Sequence, residues 1–412
     1  MSVGRDFGVV WLGQGISSLG TAVTTLALPL LALLELHVHA WQVGLLTACT
    51  YAAYATLALP AGVWLERRAR RPLVIAGDLG RFGALASIPV AQSLDVLTFV
   101  QLVVVALVVG ALTVVFDVAY QSWLPILVAP DSLVRVNGLL DATASTGRLA
   151  GPGVAGFLVA SIGAAYTIGS DAASFAIAAL ATVAVRTGEP DIPGRAEGQA
   201  RHLRGELRAG LSWLRKTVAM RALVASSTTS NFFVATWLAV EAIFLVDTLR
   251  ASPGTIGVVL ALGSGGGILG GVFAGALSRR FGSCRVIVLS AALGGPFALS
   301  APLGTPLLGP WSVAAGLFGV TFTSAVRGAG ATSYRQRATP PELITRVTSA
   351  VRLAAYATLP AGSLFGGLLA SGTTPRTVMV VAAVGYGAAV LWLLPLRAHR
   401  DLPLPGARPV TA

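Results

Sequence analysis

Long apolar stretches alternate with short polar connections along this chain. A helix that crosses a bilayer needs about 20 consecutive, mostly apolar residues. The stretches of that kind cover residues 7–34, 42–63, 72–93, 96–124, 138–161, 164–185, 221–246, 254–278, 285–302, 308–333, 343–370 and 375–395. They are continuous and lack the alternation over about ten residues that barrel strands show. The pattern therefore predicts an all-α integral membrane protein with twelve transmembrane helices.

Composition supports this class and excludes others. Hydrophobic residues make up 55% of the chain and charged residues 11%, whereas a soluble domain carries roughly 25% charged residues. A soluble enzyme, a disordered chain and a coiled coil are therefore disfavoured. The net charge of +12 would suggest a nucleic-acid partner for a soluble protein, but in a membrane protein Arg marks the cytoplasmic face. We expect a lipid bilayer as partner and no nucleic acid.

The positive charges fall on one side of the predicted spans. Arg clusters occupy the connections at 64–71, 186–221 and 279–285, the segment after residue 333 and the tail. The opposite loops hold only Arg250 and Arg376. By the positive-inside rule both termini lie in the cytoplasm, in a multi-pass protein of the plasma membrane. The first apolar run is too long for a signal-peptide core and is interpreted as a retained span.

An internal repeat divides the chain into two halves. Residues 62–71 resemble residues 275–285 at an offset of 213, and residues 130–136 resemble 341–347 at an offset near 211. The repeat predicts two pseudo-symmetric six-helix bundles, 1–186 and 221–398. They are joined by a cytoplasmic linker, 187–220, with an amphipathic helix near 201–215, and followed by a cytoplasmic tail, 399–412. In such folds the substrate site lies between the halves near mid-membrane, and rocking gives alternating access.

The connection after the second span carries the most recognisable motif. Its matching residues are Gly62, Glu66, Arg67, Arg70 and Arg71, and the second copy keeps Gly275 and Arg279. This pattern resembles the signature of the major facilitator superfamily, whose fold is the twelve-helix arrangement described above. The resemblance implies a gate in which Glu66 pairs only when the cytoplasmic ends meet, and the alternative is plain topology charge. Asp78 and Arg81 lie three residues apart on the third span and are expected to pair.

Other stretches resemble one branch of the superfamily, which holds enterobactin exporters and macrolide-efflux proteins. They are Leu124-Pro125 and residues 171–175, 211–215 and 231–233. In the fifth span, residues 147–156 resemble the antiporter motif of superfamily drug exporters, through Gly147, Arg148, Gly151, Pro152 and Gly156. This resemblance implies export. The alternative for the glycines is ordinary tight helix packing.

Acids inside the spans are few and are therefore candidates for function. Proton-coupled export needs a carboxylate whose proton affinity changes with access to water. The candidates, in order, are Glu241, Asp117 and Asp171. Polar and aromatic residues within spans that are candidates for the substrate cavity are Gln14, Gln101, Tyr120, Gln121, Asn231, Trp237, Arg327 and Tyr356.

No cofactor or metal site is expected. Residues 265–270 fit the dinucleotide pattern but lie inside an apolar stretch with no preceding strand. Gly263, Gly267, Gly271 and Gly275 recur at every fourth position and predict a helix-packing ridge. The two cysteines, Cys49 and Cys284, lie in unrelated segments and form no ligand cluster.

The sequence as a whole predicts a transporter rather than an enzyme. The expected function is proton-coupled efflux of an amphipathic small molecule, such as a drug, a macrolide, a siderophore or another secondary metabolite, by a monomer. Two alternatives remain: a facilitator or importer of the same fold, and a membrane sensor or assembly protein that transports nothing.

Overall fold

Twelve long helices make up the part of the chain that the computed structural model describes, which is residues 4–65, 68–128, 132–188, 212–213, 217–303, 309–340 and 343–398. The first six are α1 (Arg5–Leu34), α2 (Ala40–Leu65), α3 (Arg70–Ser93), α4 (Phe99–Leu127), α5 (Leu133–Ile162) and α6 (Ala164–Val183). The second six are α7 (Val218–Ile243), α8 (Pro253–Phe281), α9 (Ser283–Ser300), α10 (Gly309–Ala338), α11 (Ile344–Gly372) and α12 (Pro375–Ala388). A π-helical turn, Phe244–Thr248, extends α7, and a 3₁₀ segment, Ala389–Ala398, extends α12.

The helices have the length and composition of membrane spans. Among the described residues, nine helices are long and apolar enough, in whole or in part, to cross a bilayer. The other three, α2, α5 and α10, have 26, 30 and 30 residues, and about 20 suffice to cross. The prediction of an all-α membrane protein with twelve helices is therefore confirmed, with most helix ends shifted by a few residues.

Local sequence signals explain where several helices begin. The Ser252 hydroxyl accepts a hydrogen bond from the backbone N–H of Thr255, and Pro253 occupies the first helical position of α8. Thr374 and Pro375 begin α12 in the same way. A hydroxyl at the N-cap satisfies a backbone donor that the first turn leaves unpaired, and proline at that position loses no hydrogen bond.

The two halves pack alike. In the first half α1 packs on α5 and α6, α3 on α4 and α6, and α2 on α4. In the second half α7 packs on α11 and α12, α9 on α10 and α12, and α8 on α10. The halves meet mainly through two equivalent pairs, α2 with α11 and α5 with α8, and less extensively where α7 contacts α2 and α1. Each half is therefore one bundle, and the repeat seen in the sequence is also a repeat of contacts.

The predicted glycine ridge on α8 runs along a different line. The expected residues were Gly263, Gly267, Gly271 and Gly275. A Cβ at Gly271 would meet nothing within 4 Å, and one at Gly275 would meet only Arg279 of its own helix. The glycines that face α10 closely are Gly263, Gly266 and Gly270. The contact line thus mixes steps of three and four residues, because an α-helix has 3.6 residues per turn.

The predicted amphipathic helix of the linker, near 201–215, lies outside the described residues apart from Ser212 and Trp213, which are helical. The boundaries proposed for the linker and the tail stay predictions.

Candidate functional site

A cavity of about 480 Å³ lies between the two halves. Helices α1, α2 and α5 contribute walls from the first half, and α7, α8, α9, α10 and α12 contribute walls from the second. Most of its lining is apolar, and the aromatic side chains on it are Tyr51, Phe233, Trp237 and Tyr386. A volume of this size suits a drug-sized molecule, since ligand pockets run from about 300 to 1,000 Å³.

Glu241 places a carboxyl group on the cavity wall. It lies on α7, one turn after Trp237, and only 7% of its surface is exposed. The indole N–H of Trp237 donates to Oε1 of Glu241 at 3.0 Å. Because these residues are four positions apart, they share one helix face, and the tryptophan fixes the orientation of the acid.

Arg148 lines the same cavity from the first half. It lies on α5, and its Nη2 donates to Oγ of Ser145 at 2.9 Å, one turn earlier. Of the described residues that line the cavity, Arg148 and Glu241 are the two that carry a formal charge. They therefore place opposite charges on opposite halves of the molecule.

Two close backbone crossings join the halves at one end of the cavity. At the first, Gly44 of α2 faces Gly367 of α11, and a Cβ built on Gly44 would lie 2.7 Å from the Cα of Gly367. At the second, Gly156 of α5 faces Gly257 of α8 at the same distance of 2.7 Å. Both crossings join the two halves near the ends of these helices that lie away from the chain termini. Only glycine allows backbones to approach this closely.

The two crossings are related by the internal repeat. Gly44 and Gly257 are 213 positions apart, and Gly156 and Gly367 are 211 positions apart, which are the offsets of the repeated loop motifs. The partners at one crossing are therefore the repeat equivalents of the partners at the other. The two crossings are therefore one kind of contact that occurs once for each repeat.

The other glycines of the fifth-span motif also lie at contacts. A Cβ on Gly147 would lie 3.4 Å from the carbonyl oxygen of Ser18, and one on Gly151 would overlap Ala22 of α1. Pro152 lines the cavity, and its carbonyl oxygen faces Gly257. The motif thus holds α5 between α1 on one side and α8 on the other while it presents Arg148 to the cavity.

A buried polar network occupies the first half, away from the cavity lining. Arg81 of α3 donates to Asp78 at 2.5 Å, and Gln14 of α1 donates to the same carboxylate at 3.1 Å. The guanidinium of Arg81 lies between the rings of Phe116 and Phe175, at 4.1 and 4.2 Å from their centroids. Asp78 and Arg81 are 0% and 4% exposed. The pair is thus sealed inside one bundle.

Two of the acids proposed for proton coupling belong to this network. Asp171 of α6 is buried and accepts hydrogen bonds from Thr24 of α1 at 2.5 Å and from Ser174 at 3.0 Å. Asp117 of α4 is half-buried, and both acids lie close enough to Arg81 to interact with its charge. Glu241 is the candidate acid that the structure places on the cavity wall.

The residues predicted for the cavity are spread through both bundles. Trp237 lies on its wall. The others are placed elsewhere in the described helices: Gln14 bonds Asp78, Gln101 donates to Ser87, Tyr120 stacks on Phe116, Gln121 is exposed, Asn231 donates to the carbonyl oxygen of Ala355, Arg327 donates to Ser230, and Tyr356 is exposed on α11. Most of these polar groups therefore join neighbouring helices within one bundle.

The signature connection lies at the end of the molecule that holds the termini. Gly62 belongs to the last part of α2, and Glu66 and Arg67 lie outside the described residues. Arg70 begins α3, and Arg71 donates to the carbonyl oxygen of Val183 at 2.9 Å, at the end of α6. A cation at a helix C-terminus is favourable. In the second copy, Arg279 lies exposed in the last turn of α8.

Sequence reasoning missed several cavity and gate residues. Tyr51, Phe233 and Tyr386 line the cavity, and Gly44, Gly257 and Gly367 form the crossings. The repeat offsets were available as a signal for the glycines, because adding 213 to Gly44 or 211 to Gly156 leads to another glycine. No comparable signal marks the aromatic residues, since each lies in an apolar helix like many others.

Comparisons with known proteins agree with this architecture. The model of the Major Facilitator Superfamily matches residues 10–242 and again residues 222–411. The multidrug efflux pump Tap of Mycobacterium tuberculosis is 25% identical over 275 residues, and the match spans 64% of this chain and 64% of that relative's length. Tap of Mycolicibacterium fortuitum is 25% identical over 362 residues, which cover 85% of this chain and 86% of that protein.

Solved structures share the fold. A bacterial homologue of the iron transporter ferroportin in an inward-facing state has a TM-score of 0.76 at 18% identity, over 97% of this chain and 100% of that one. The nucleoside transporter NupG has a TM-score of 0.71 at 11% identity, over 96% and 100% of the two chains. Identities this low show the fold alone. Since the family model covers nearly the whole sequence in two copies, the chain belongs to the major facilitator superfamily and is a multi-pass membrane transporter.

Proposed function

We propose that this transporter is a proton-coupled exporter that moves an amphipathic small molecule out of the cell. The observation that carries the proposal is the apolar cavity between the halves, with Glu241 on its wall and the two glycine crossings at one end. The similarity to proteins named multidrug efflux pumps supports the direction of transport. The narrower resemblance to enterobactin exporters and macrolide-efflux proteins stays a prediction.

The two glycine crossings support alternating access. We place the protein in the plasma membrane with both termini in the cytoplasm. The end of the cavity that holds the crossings then faces outward. The crossings Gly44–Gly367 and Gly156–Gly257 then act as the outer gate, and their separation opens the cavity to the outside. We assign the opposite gate to the signature connection. Glu66, beside Gly62, Arg67, Arg70 and Arg71, forms its pair when the cytoplasmic ends approach each other and stabilises the outward-open state.

Proton coupling is assigned to Glu241. A carboxyl group on the cavity wall changes its surroundings when the gates exchange, so its proton affinity depends on the state of the transporter. The other ionisable groups that face the cavity are Arg148, Tyr51 and Tyr386. Tyr356 of α11 lies close enough to Tyr51 for electrostatic interaction, and Arg376 of α12 lies 6.0 Å from the ring of Phe244 on the extension of α7. A proton on Glu241 and a substrate therefore compete for one cavity.

The test uses inverted membrane vesicles with an acidic interior. The unmodified protein should accumulate a transported dye, and a protonophore should abolish the accumulation. Glu241→Gln should remove the dependence on the proton gradient. Asp117→Asn and Asp171→Asn are the matched acid variants, and they should keep it when the amounts of folded protein are equal. Proton-driven uptake that survives in Glu241→Gln would contradict this assignment.

The substrate range is tested in whole cells. A panel of dyes, macrolides and siderophores should show lower accumulation in cells that make the protein, and the difference should vanish with a protonophore. Labelling of single cysteines from each side of the membrane reports the orientation, and the mass of the purified particle tests the proposed monomer. Accumulation that stays lower despite the protonophore would contradict proton coupling, and a facilitator would not lower the steady-state accumulation at all.

A further inference from the structure

The two charged residues of the cavity lining belong to different halves of the molecule. Arg148 belongs to α5 of the first half and Glu241 to α7 of the second. In the described part of the chain, no ion pair joins them, and no carboxylate lies within 4.0 Å of the Arg148 guanidinium. The two charges are therefore not neutralised by contact with each other.

Each of these two charged side chains keeps hydrogen-bonding atoms that a ligand can use. The carboxyl group of Glu241 uses Oε1 to accept the Trp237 N–H, and Oε2 accepts no hydrogen bond from the described residues. Arg148 uses one N–H of its guanidinium for Ser145, and a guanidinium has five such donors. One acceptor and several donors thus remain on opposite walls of one cavity.

The wall between these two points is apolar and aromatic. Tyr51 of α2, Phe233 and Trp237 of α7 and Tyr386 of α12 supply ring surface. Aromatic faces attract extended apolar bodies and delocalised cations. The two opposite charges on the cavity lining set a second requirement for the ligand. A ligand with a single charge pairs with one of these residues and leaves the other without a partner, so it gains only one of the two charge-assisted interactions.

We propose that the substrate is an amphipathic zwitterion, with a planar apolar body, that binds both halves at once. Its anionic group binds Arg148, and its cationic group binds Glu241 at Oε2. This assignment rests on the proposed transport function and narrows its substrate class. A molecule that contacts both halves also links binding to their rocking. Arg148 and Glu241, the two anchors, can bind it together only while the halves hold the cavity closed around it.

Two dyes form a matched pair for the test. Rhodamine B carries a carboxylate and a delocalised cation, and its ethyl ester keeps the cation but lacks the anion. Binding of both to the purified full-length protein is measured by fluorescence polarisation at neutral pH. The unmodified protein should bind rhodamine B at least about 30-fold more tightly than the ester, as expected when the anion gains hydrogen bonds from a charged guanidinium.

The variants separate the two anchors. Arg148→Gln should abolish the preference for rhodamine B and leave ester binding nearly unchanged, whereas Arg148→Lys should keep part of the preference. Glu241→Gln should weaken both dyes by a similar factor, because both carry the cation. Asp247→Asn, an exposed acid at the end of the same helix, is the matched control and should change neither. Unchanged melting temperatures show that the variants are folded.

The outcomes are distinct. Equal affinity of the unmodified protein for the two dyes, or a preference that survives Arg148→Gln, overturns the zwitterion assignment. If neither dye binds while vesicles still accumulate other compounds in a proton-dependent way, this substrate class is wrong and the proposed function stands. If vesicles accumulate no compound of the panel, the proposed function is wrong as well.

Discussion

The two halves share one fold but place their buried charges differently. In the first half, Asp78, Arg81 and Asp171 lie inside the bundle and are satisfied by neighbouring helices. In the second half, Glu241 lies on the cavity wall with one carboxylate oxygen that has no partner among the described residues. The repeat therefore preserved the helix contacts and the glycine crossings while the charged residues of each half acquired different positions.

This difference separates two uses of an intramembrane charge. A charge that is paired within one bundle stays paired when the bundles rock as rigid bodies, so it stabilises the bundle and does not sense the transport cycle. A charge at the interface between bundles changes its access to water in every cycle. Position relative to the interface, rather than burial alone, thus distinguishes the structural acids from the candidate coupling acid.

The largest expected effect is the loss of the buried pair in the first half. Arg81→Met leaves Asp78 buried without its cation, which typically costs about 3–5 kcal/mol. We expect a much lower midpoint of thermal unfolding in detergent and little folded protein. The double variant Asp78→Asn, Arg81→Met removes both charges and should recover part of the loss. Glu241→Gln in the second half should change the midpoint little, and an equal loss there would contradict the comparison.

The next effect concerns the glycine crossings, which the halves share. In Gly156→Ala the new Cβ would lie 2.5 Å from the carbonyl oxygen of Pro253 and 2.7 Å from the Cα of Gly257, so backbone must move apart. Overpacking of this kind costs about 1–3 kcal/mol, and a shift of 1.4 kcal/mol changes a population about tenfold. Because the strain exists only when the gate is closed, the outward-open state should gain population.

Cysteine labelling measures that population. Thr47→Cys lies on the cavity wall of α2, and a membrane-impermeant thiol reagent added outside should label it several times faster when Gly156→Ala is present. Gly367→Ala should have the same effect at the first crossing, where Gly367 faces Gly44. Gly271→Ala on α8 is the control, since nothing lies within 4 Å of its Cβ position. Labelling that rises equally in the control would show that the crossings are not the gate.

The sequence predicted those features that depend only on the order of residues along the chain. The twelve helices and the two halves follow from apolar length and from the repeat, because a long apolar segment in a bilayer satisfies its own backbone hydrogen bonds as a helix. The pairing of Asp78 with Arg81 follows from a spacing of three on one helix. The cavity did not follow, because eight helices contribute to it and which face of an apolar helix turns inward depends on packing. Gln101 and Asn231 illustrate this, since both bond a neighbouring helix instead of facing the cavity.

The smallest effect compares two single hydrogen bonds to buried acids, one in each half. Thr24 donates to Asp171 at 2.5 Å inside the first bundle, and Trp237 donates to Glu241 at 3.0 Å on the cavity wall. Thr24→Val should lower stability by about 1–2 kcal/mol, because no water can replace the lost donor in a sealed bundle. Trp237→Phe should leave stability nearly unchanged, because water in the cavity can bond the freed oxygen. It should instead weaken dye binding a few fold, since the carboxyl group loses its fixed orientation. Thermal unfolding and rhodamine B binding, measured on both variants, test these two expectations. If Thr24→Val alters binding as much as Trp237→Phe does, the first bundle is coupled to the cavity, and the separation between structural and functional charges is wrong.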